Sequence, residues 1–283
     1  MTEDTDRQRA VAGLPVPATA EGRAGLAALI TDPEHALIAV DFDGTLAPII
    51  DDPAAARATP DATRSLTRLA GRAGTVAIIT GRPAADAASF AGVASVPGVI
   101  VLGHYGMQRF ERGTVSSPPP PPGLSVARAE LPAVLSAAGA DPGTWIEDKG
   151  DALAVHTRRA ARPDAELGQL RAPLAGLAAR TGLALEPGRL VLELRPPGAD
   201  KGRALTSLAG ERAPEAILFC GDDLGDRPAF AAVRELRQTG TPGLLVCSGS
   251  AEVPQLAAEA DLVVDGPAGV AAFLGGLAAA FGA

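Results

Sequence analysis

Two aspartates separated by one residue, Asp41 and Asp43, stand where a short apolar run ends, in the sequence ALIAVDFDGTL. The run at residues 37–40 has the length of a fully buried strand, and parallel sheets bind ligands beyond the carboxyl ends of their strands. Neighbouring carboxylates raise each other's pKa unless a cation or hydrogen bonds hold them ionised, and their hard oxygens suit Mg²⁺. The pattern predicts a magnesium site here; the alternative is an ordinary strand exit with solvated acids.

Further polar groups stand at the ends of other predicted strands or at the start of a helix. Thr80 follows the apolar run TVAII, Lys201 begins a helix in DKG, and the acidic motif GDDLGD follows AILFC. Because consecutive parallel strands end at one edge of a sheet, we expect these groups to lie close to Asp41.

These residue types meet the needs of a metal-assisted phosphoryl transfer, which requires a nucleophile, an acid/base, a cation and metal ligands. Asp41 is the candidate nucleophile that would form an aspartyl-phosphate, and Asp43 is the candidate acid/base. Thr80 would offer its hydroxyl to a phosphate oxygen. Lys201 would neutralise charge on Asp41 and on the phosphate.

The GDDLGD motif supplies the remaining candidates for the metal site. Asp222 is expected to bind Mg²⁺ together with Asp41 and the main-chain carbonyl of Asp43. Asp223 and Asp226 are expected to lie around these ligands and to hold them in place, without binding the ion themselves.

The order of predicted elements indicates an α/β fold with a doubly wound, mostly parallel, Rossmann-like sheet. Strands and helices alternate up to the strand that exits at His104, and the alternation resumes at Lys201. Between them, the order helix, hairpin, helix, hairpin predicts an inserted α+β cap domain. We therefore expect a flexible N-terminal arm at residues 1–20, a catalytic core at residues 21–107 and 198–283, and the cap at residues 108–197.

The predicted cap strands alternate apolar and polar residues, so their sheet would have one face of each kind. The apolar face would comprise Ile146, Leu153, Val155, Leu190, Leu192 and Leu194. The polar face would comprise Trp145, Glu147, Lys149, His156, Arg158, Glu193 and Arg195. We interpret the polar face as a sugar-binding surface, because paired acids and bases with an aromatic ring can bind vicinal hydroxyls. A solvated face is the alternative.

Composition restricts the possible partners of the chain. A net charge of −8 and an aromatic content of 3% disfavour binding to nucleic acid. The sequence contains no unbroken apolar stretch of membrane-spanning length, and its first residues lack the apolar core of a signal peptide. We expect a cytoplasmic protein, monomeric, with a small molecule as its partner.

The motifs DFDGTL, Thr80, Lys201 and GDD, in this order and separation, resemble those of the haloacid dehalogenase superfamily of phosphatases. The segment IEDKGDALAVHTR, together with DGTLAPI and GDDLGD, more narrowly resembles the trehalose-6-phosphate phosphatase family. This resemblance implies Mg²⁺ as cofactor and a disaccharide phosphate as substrate. The substrate-binding residues that it implies are Arg82, His104, Glu147, Lys149, His156, Arg158 and Glu193.

The sequence thus leads to the hypothesis of a Mg²⁺-dependent phosphatase that converts trehalose 6-phosphate to trehalose and phosphate. One alternative keeps the chemistry and changes the substrate to sucrose phosphate, a glucosyl-phosphoglycerate or another sugar phosphate. Another alternative is a noncatalytic sugar-phosphate sensor, although neither Asp41 nor Lys201 has been lost.

Overall fold

The computed structural model describes residues 13–50, 52–249 and 254–283, which form two compact units. The first unit contains the described residues up to Ser117 together with Asp200–Ala283, and the second unit is Pro118–Ala199. In chain order, the strands are β1 Ala36–Val40, β2 Thr75–Ile79, β3 Val99–Gly103, β4 Gln108–Glu111, β5 Thr114–Ser116, β6 Trp145–Asp148, β7 Leu153–His156, β8 Ala184–Gly188, β9 Val191–Arg195, β10 Ala216–Gly221, β11 Gly243–Gly249 and β12 Leu262–Asp265. The helices are α1 Ala20–Thr31, α2 Pro60–Ala70, α3 Ala84–Phe90, α4 Pro122–Ala137, α5 Pro163–Thr181, α6 Lys201–Arg212, α7 Arg227–Gln238, α8 Pro254–Ala257 and α9 Gly266–Ala280.

The first unit is built on an eight-stranded sheet with the order β12-β11-β10-β1-β2-β3-β4-β5. The strands from β12 to β3 are parallel, and β4 and β5 continue the sheet in antiparallel pairing. Because β1 lies between β2 and β10, the strand order runs outward from β1 in both directions. This is the switch point of a doubly wound sheet, where the loops diverge and leave room for a ligand. The predicted fold class is confirmed.

Apolar side chains on both faces fix β1 in the middle of this sheet. Its five residues, ALIAV, are all buried. Ile38 belongs to an apolar cluster with Leu66 of α2 and Leu274 of α9, whereas Leu37 belongs to a second cluster with Leu205 of α6. Full burial of a Leu or Ile side chain stabilises a fold by roughly 1.5–3 kcal/mol. The loop that follows β1 therefore begins at a strand whose position is fixed by packing on both faces.

The second unit contains a four-stranded antiparallel sheet with the order β6-β7-β9-β8. Apolar residues of β7 and β9, including Val155 and Leu192, pack with α4 and α5 residues such as Leu131 and Leu174. The predicted alternation of faces therefore describes these strands. The prediction was wrong for Leu190. This residue lies in the turn before β9, with a φ angle of 59°, and therefore does not belong to the alternating residues of the strand.

The hairpin β4–β5 belongs to the first unit, whereas the sequence placed residues from 108 onward in the cap. Its strand β4 pairs with β3 over four positions, from Ile100–Glu111 to Gly103–Gln108. An edge strand has unpaired backbone groups, and the hairpin satisfies them. Arg109 also donates to Glu211 of α6, with an Nη1 to Oε2 distance of 2.6 Å. The boundary between the units thus follows the hairpin, at residues 117 and 118.

The predicted N-terminal arm lies partly outside the described residues, which begin at Gly13. Residues 13–19 are bound to the first unit. Leu14 is buried, the backbone N–H of Ala18 donates to the carbonyl of Asp261 at 2.7 Å, and Thr19 caps α1. The arm prediction was wrong for this segment because Leu14 and the cap residue Thr19 both have partners. Among the described helices, none has the length and apolar character needed to span a bilayer.

A buried carboxylate, Asp261, joins α1, α7 and β11. It accepts hydrogen bonds from the Thr19 hydroxyl, the Arg237 guanidinium and, at 2.8 Å, the backbone N–H of Leu245. Its own N–H donates to the carbonyl of Leu245 at 2.9 Å. The connection before β12 is therefore tied to both neighbouring helices.

We expect Asp261→Ala to lower the free energy of unfolding by about 3–5 kcal/mol, because it leaves the Arg237 charge without its buried partner. Urea denaturation would measure the loss. The control is Arg64→Ala, since Arg64 pairs with Asp61 at the surface and both side chains are 69% exposed. That change should cost less than about 1 kcal/mol. Equal losses from the two variants would contradict this account of Asp261.

Candidate active site

The ends of β1, β2 and β10 bring together residues from distant parts of the chain. Because β1 pairs with both neighbours, Asp41, Thr80 and Asp222 follow three adjacent strands. The backbone N–H of Asp41 continues the β1–β10 ladder by donating to the carbonyl of Cys220 at 2.9 Å. Lys201 enters from the first position of α6, which Asp200 caps through the N–H of Arg203 at 2.8 Å.

The ammonium of Lys201 lies between two carboxylates. Its Nζ is 2.7 Å from Asp41 Oδ1 and 2.7 Å from Asp226 Oδ1, and all three residues are buried. Burial and the positive end of the α6 dipole both disfavour a cation at this position. Burial lowers the pKa of Lys201, but Asp226 and Asp41 outweigh it, so the pKa lies well above its usual value. Lys201 is therefore a fixed positive charge beside Asp41.

Asp226 holds the loop that follows β10. Its Oδ2 accepts hydrogen bonds from the N–H groups of Asp222 at 2.9 Å and Asp223 at 3.2 Å. Asp223 in turn caps the short 3-10 turn Leu224–Asp226 through the N–H of Gly225 at 2.8 Å. Asp226 thus orients Lys201 and the backbone of Asp222 at the same time.

Three buried carboxylates, those of Asp41, Asp222 and Asp226, have oxygens within 4.8 Å of one another. Burial raises the pKa of Asp41 well above its usual value, and burial, with Asp226 and Asp223 nearby, raises the pKa of Asp222 to about 7. Such a cluster is unfavourable without a cation, and its hard oxygen donors fit Mg²⁺. The hydrogen bonds of Asp226 leave Asp41 and Asp222 as the better-placed ligands.

Gly44 lets the backbone after Asp43 approach Asp222 closely. A Cβ at this position would lie 2.0 Å from Asp222 Oδ2, and the φ angle of 75° disfavours other residues. Ser248 at the end of β11 holds the same segment, donating its hydroxyl to the Gly44 carbonyl at 2.6 Å. Ser248 could not be predicted as part of this site, because nothing in the run LLVCSGS marks this serine for a partner in another loop.

Asp43 does not join the carboxylate cluster through its side chain. It forms a two-point ion pair with Arg82, with distances of 2.7 Å from Nε to Oδ2 and 2.6 Å from Nη2 to Oδ1. The Asp43 side chain is 42% exposed and that of Arg82 only 14%. The resemblance assigned Arg82 to the substrate, whereas its observed partner is the candidate acid/base.

The turn at residues 80–82 is held by the segment that follows β3. Tyr105 N–H donates to the Thr80 carbonyl and His104 N–H to the Arg82 carbonyl, both at 2.9 Å. His104 and Tyr105 have φ angles of 46° and 57°, a conformation that costs non-glycine residues about 1–3 kcal/mol each. Tyr105 Oη would lie 2.7 Å from a Cβ at Gly81. Sequence reasoning missed Tyr105, whose only signal was the run GHYG.

The second unit brings four of its five predicted substrate-binding residues together on one sheet face. Glu147 and Glu193 lie opposite Ala154 from the two neighbouring strands. His156 Nε2 is 2.8 Å from Glu147 Oε2, and Lys149 Nζ is 3.4 Å from Glu193 Oε1. Arg158 lies beyond the end of β7 and is exposed.

Trp145 already has two neighbours within the second unit. Its ring stacks on the His156 imidazole, with 4.6 Å between centroids and 11° between planes. The Arg159 guanidinium lies over the Trp145 ring at 4.6 Å. The stack orients His156, which links the tryptophan to Glu147.

The architecture of the first unit, with its acids and lysine at the ends of the central strands, is the fold of haloacid dehalogenase-like proteins. A haloacid dehalogenase-like hydrolase from Bacteroides thetaiotaomicron shares the fold with a TM-score of 0.62 and 16% identity. The match covers 85% of this chain and 98% of that one.

The sequence model of the trehalose-phosphatase family matches residues 39–265, and the chain belongs to this family. The trehalose-phosphate phosphatase of Mycobacterium marinum is 35% identical over 252 residues, which are 84% of this chain and 60% of the relative. That of Mycobacterium avium is 36% identical over 75% of this chain and 54% of the relative. The chain therefore spans only about 60% or less of these relatives. A trehalose-6-phosphate phosphatase structure from Aspergillus fumigatus is 26% identical, with a TM-score of 0.64 and coverage of 93% and 99% of the two chains.

The raised pKa of Asp222 predicts a pH dependence of the metal-free protein. Between its usual value of 3.8 and about 7, the unfolded state loses this proton while the folded state keeps it. The free energy of unfolding should therefore fall as pH rises through this range, by up to about 4 kcal/mol from this group. Asp222→Asn should remove that part of the slope in urea titrations with chelator.

The control is Asp86→Asn, at an exposed position of α3, which should keep the full slope. Added Mg²⁺ at pH 8 should raise the melting temperature of the unsubstituted protein and not that of Asp222→Asn. An unchanged slope in Asp222→Asn would contradict the assignment of the pH dependence to this carboxylate.

Proposed function

We propose that this chain is a Mg²⁺-dependent phosphatase that hydrolyses trehalose 6-phosphate to trehalose and phosphate. The observation that carries the proposal is the buried contact of Lys201 with Asp41, beside two further carboxylates suited to a metal ion. Membership of the trehalose-phosphatase family supports the choice of substrate.

In this proposal, the reaction passes through a phosphorylated Asp41. A carboxylate oxygen of Asp41 attacks phosphorus, the bond from phosphorus to the sugar oxygen breaks, and its electron pair leaves with that oxygen. Asp43, which must enter this step in its protonated form, gives the departing oxygen its proton. A water molecule then attacks the phosphorus and gives a proton to Asp43. The bond from phosphorus to the Asp41 oxygen breaks and its electron pair stays on that oxygen, so phosphate is released and both aspartates are restored.

The remaining residues of the first unit would handle charge. Mg²⁺ would be held by Asp41, Asp222 and the main-chain carbonyl of Asp43, and it would supply positive charge to the phosphoryl oxygens. Lys201 would share this task from a position fixed by Asp226. The Thr80 oxygen accepts a hydrogen bond from the Arg82 N–H at 3.2 Å, so its own hydrogen can be donated to a phosphoryl oxygen.

The polar face of the second unit would select the sugar. Glu147 and Glu193 offer acceptors for sugar hydroxyls, while Lys149 and His156 offer donors beside them. Groups that bind both members of a vicinal hydroxyl pair discriminate well, because a wrong substrate leaves buried polar atoms unpaired. His104 and Arg158 stay candidates for substrate binding on the resemblance alone.

Phosphate release from trehalose 6-phosphate in the presence of Mg²⁺ should exceed release from sucrose 6-phosphate, glucose 6-phosphate and a glucosyl-phosphoglycerate. Asp41→Asn and a chelator should each abolish it, because one removes the nucleophile and the other the metal. Preference for another ester would overturn the substrate assignment and keep the chemistry. Saturable binding of one ester without turnover would instead establish a sensor.

Glu193→Gln should raise KM for trehalose 6-phosphate by about tenfold or more, since a charged acceptor contributes roughly 1.5–3 kcal/mol. Hydrolysis of p-nitrophenyl phosphate, which lacks the sugar, should stay unchanged. Glu130→Gln is the matched control within the second unit, because Glu130 pairs with Arg180 at the surface and each side chain is a little under half exposed. Equal loss on both esters in Glu193→Gln would argue against sugar recognition by this face.

A further inference from the structure

Arg82 holds both oxygens of the Asp43 carboxylate at 2.6 and 2.7 Å. A side-by-side contact of this kind fixes the plane of the carboxylate as well as its position. Without it, a side chain with 42% of its surface exposed would sample several rotamers. The pair therefore sets the direction in which Asp43 points.

Arg82 is itself fixed at both ends. Its third nitrogen, Nη1, donates to the Pro53 carbonyl at 2.7 Å, and its guanidinium lies 5.2 Å from the Phe42 ring centroid and 5.5 Å from that of Phe90. Its backbone N–H donates to the Thr80 hydroxyl oxygen. The fork of donors is thus aimed at Asp43 before any substrate arrives.

We infer that Arg82 is a positioning residue that acts through Asp43 on proton transfer to the leaving group. This inference rests on the proposed function, which makes Asp43 the group that protonates the departing oxygen. A general acid must lie within hydrogen-bonding distance of that oxygen, and misplacement by about 1 Å can cost 10²-fold in rate. Arg82 supplies this placement, in addition to any contact with substrate.

The dependence of rate on the leaving group separates this role from phosphate binding. A poor leaving group, such as an alkoxide or phenoxide, needs a proton as its bond to phosphorus breaks, whereas a dinitrophenoxide leaves without one. Loss of positioning should therefore slow only the esters with poor leaving groups. Loss of a phosphate contact, or damage to the fold, should slow all esters alike because the phosphoryl group is common to them.

The experiment measures kcat/KM with Mg²⁺ for phenyl, 4-nitrophenyl and 2,4-dinitrophenyl phosphate, which contain no sugar. The ratio kcat/KM reports the step that releases the phenol. We expect Arg82→Ala to lose about 10²-fold on phenyl phosphate and less than about threefold on the dinitrophenyl ester. Asp43→Asn should show the same pattern, and the double variant should be no steeper than Asp43→Asn. Added guanidinium should partly restore Arg82→Ala on phenyl phosphate.

Arg57→Ala is the matched control. The Arg57 guanidinium lies over the same Phe90 ring at 4.0 Å and donates to the carbonyls of Ala54 and Ala56, both at 2.8 Å. It should leave all three rates within about twofold, since it removes a guanidinium of the same neighbourhood without touching Asp43.

Each result decides a different point. A uniform loss across the three esters in Arg82→Ala, or an additive loss in the double variant, overturns the positioning role and leaves the proposed function standing. Failure of the unsubstituted protein to cleave any ester overturns the proposed chemistry and this inference with it. A large loss on phenyl phosphate with a small loss on the dinitrophenyl ester in Arg82→Ala supports the inference. If the unsubstituted protein then fails to hydrolyse trehalose 6-phosphate, only the proposed substrate is overturned.

Discussion

Lys201 Nζ lies 2.7 Å from a carboxylate oxygen of Asp41 and 2.7 Å from one of Asp226, and all three residues are buried. Moving each charge out of water costs several kcal/mol, which the pairing offsets only if the geometry is good. Such geometry requires that β1, α6 and the turn Leu224–Asp226 keep fixed positions relative to each other. The sheet, the α6 cap at Asp200 and the hydrogen bonds of Asp226 all contribute to that constraint.

The parallel sheet meets the constraint with residues that lie far apart in the sequence. Asp41 follows the central strand, and its partners follow β10 or open α6, after the long insertion. The loops that carry these residues can approach each other only because they contain glycine. A Cβ at Gly44 would overlap Asp222, and a Cβ at Gly221 would lie within 2.6 Å of Asp226. The insertion does not separate Lys201 from this site, because the first unit resumes at Asp200 and α6 begins at the next residue, Lys201.

Prediction from sequence succeeded where the signal is local. Each predicted core strand is a short apolar run that ends in glycine or a polar residue, so its type and its exit could be read directly. The hairpin β4–β5 was assigned to the wrong unit because its residues are half-buried or exposed and lack such a pattern. The contacts of Arg82 with Asp43 and of Asp261 with Arg237 join loops and helices that only the folded chain brings together. Their residue types alone carried no sign of these partners.

The charges of the site also explain why Asp43 is paired separately. If all three carboxylates were ionised beside one ammonium, two negative charges would remain around Lys201, which would repel a phosphate dianion and which a divalent cation would neutralise. The negative charge of Asp43 does not add to these two charges as long as Arg82 neutralises it in their ion pair. If Asp43 gains or loses a proton, the nearby Arg82 charge reduces the resulting change in electrostatic potential at the candidate metal ligands. In the proposed mechanism, the Arg82 pair would therefore separate proton transfer from the binding of charge, although Asp41 and Asp43 are only two residues apart.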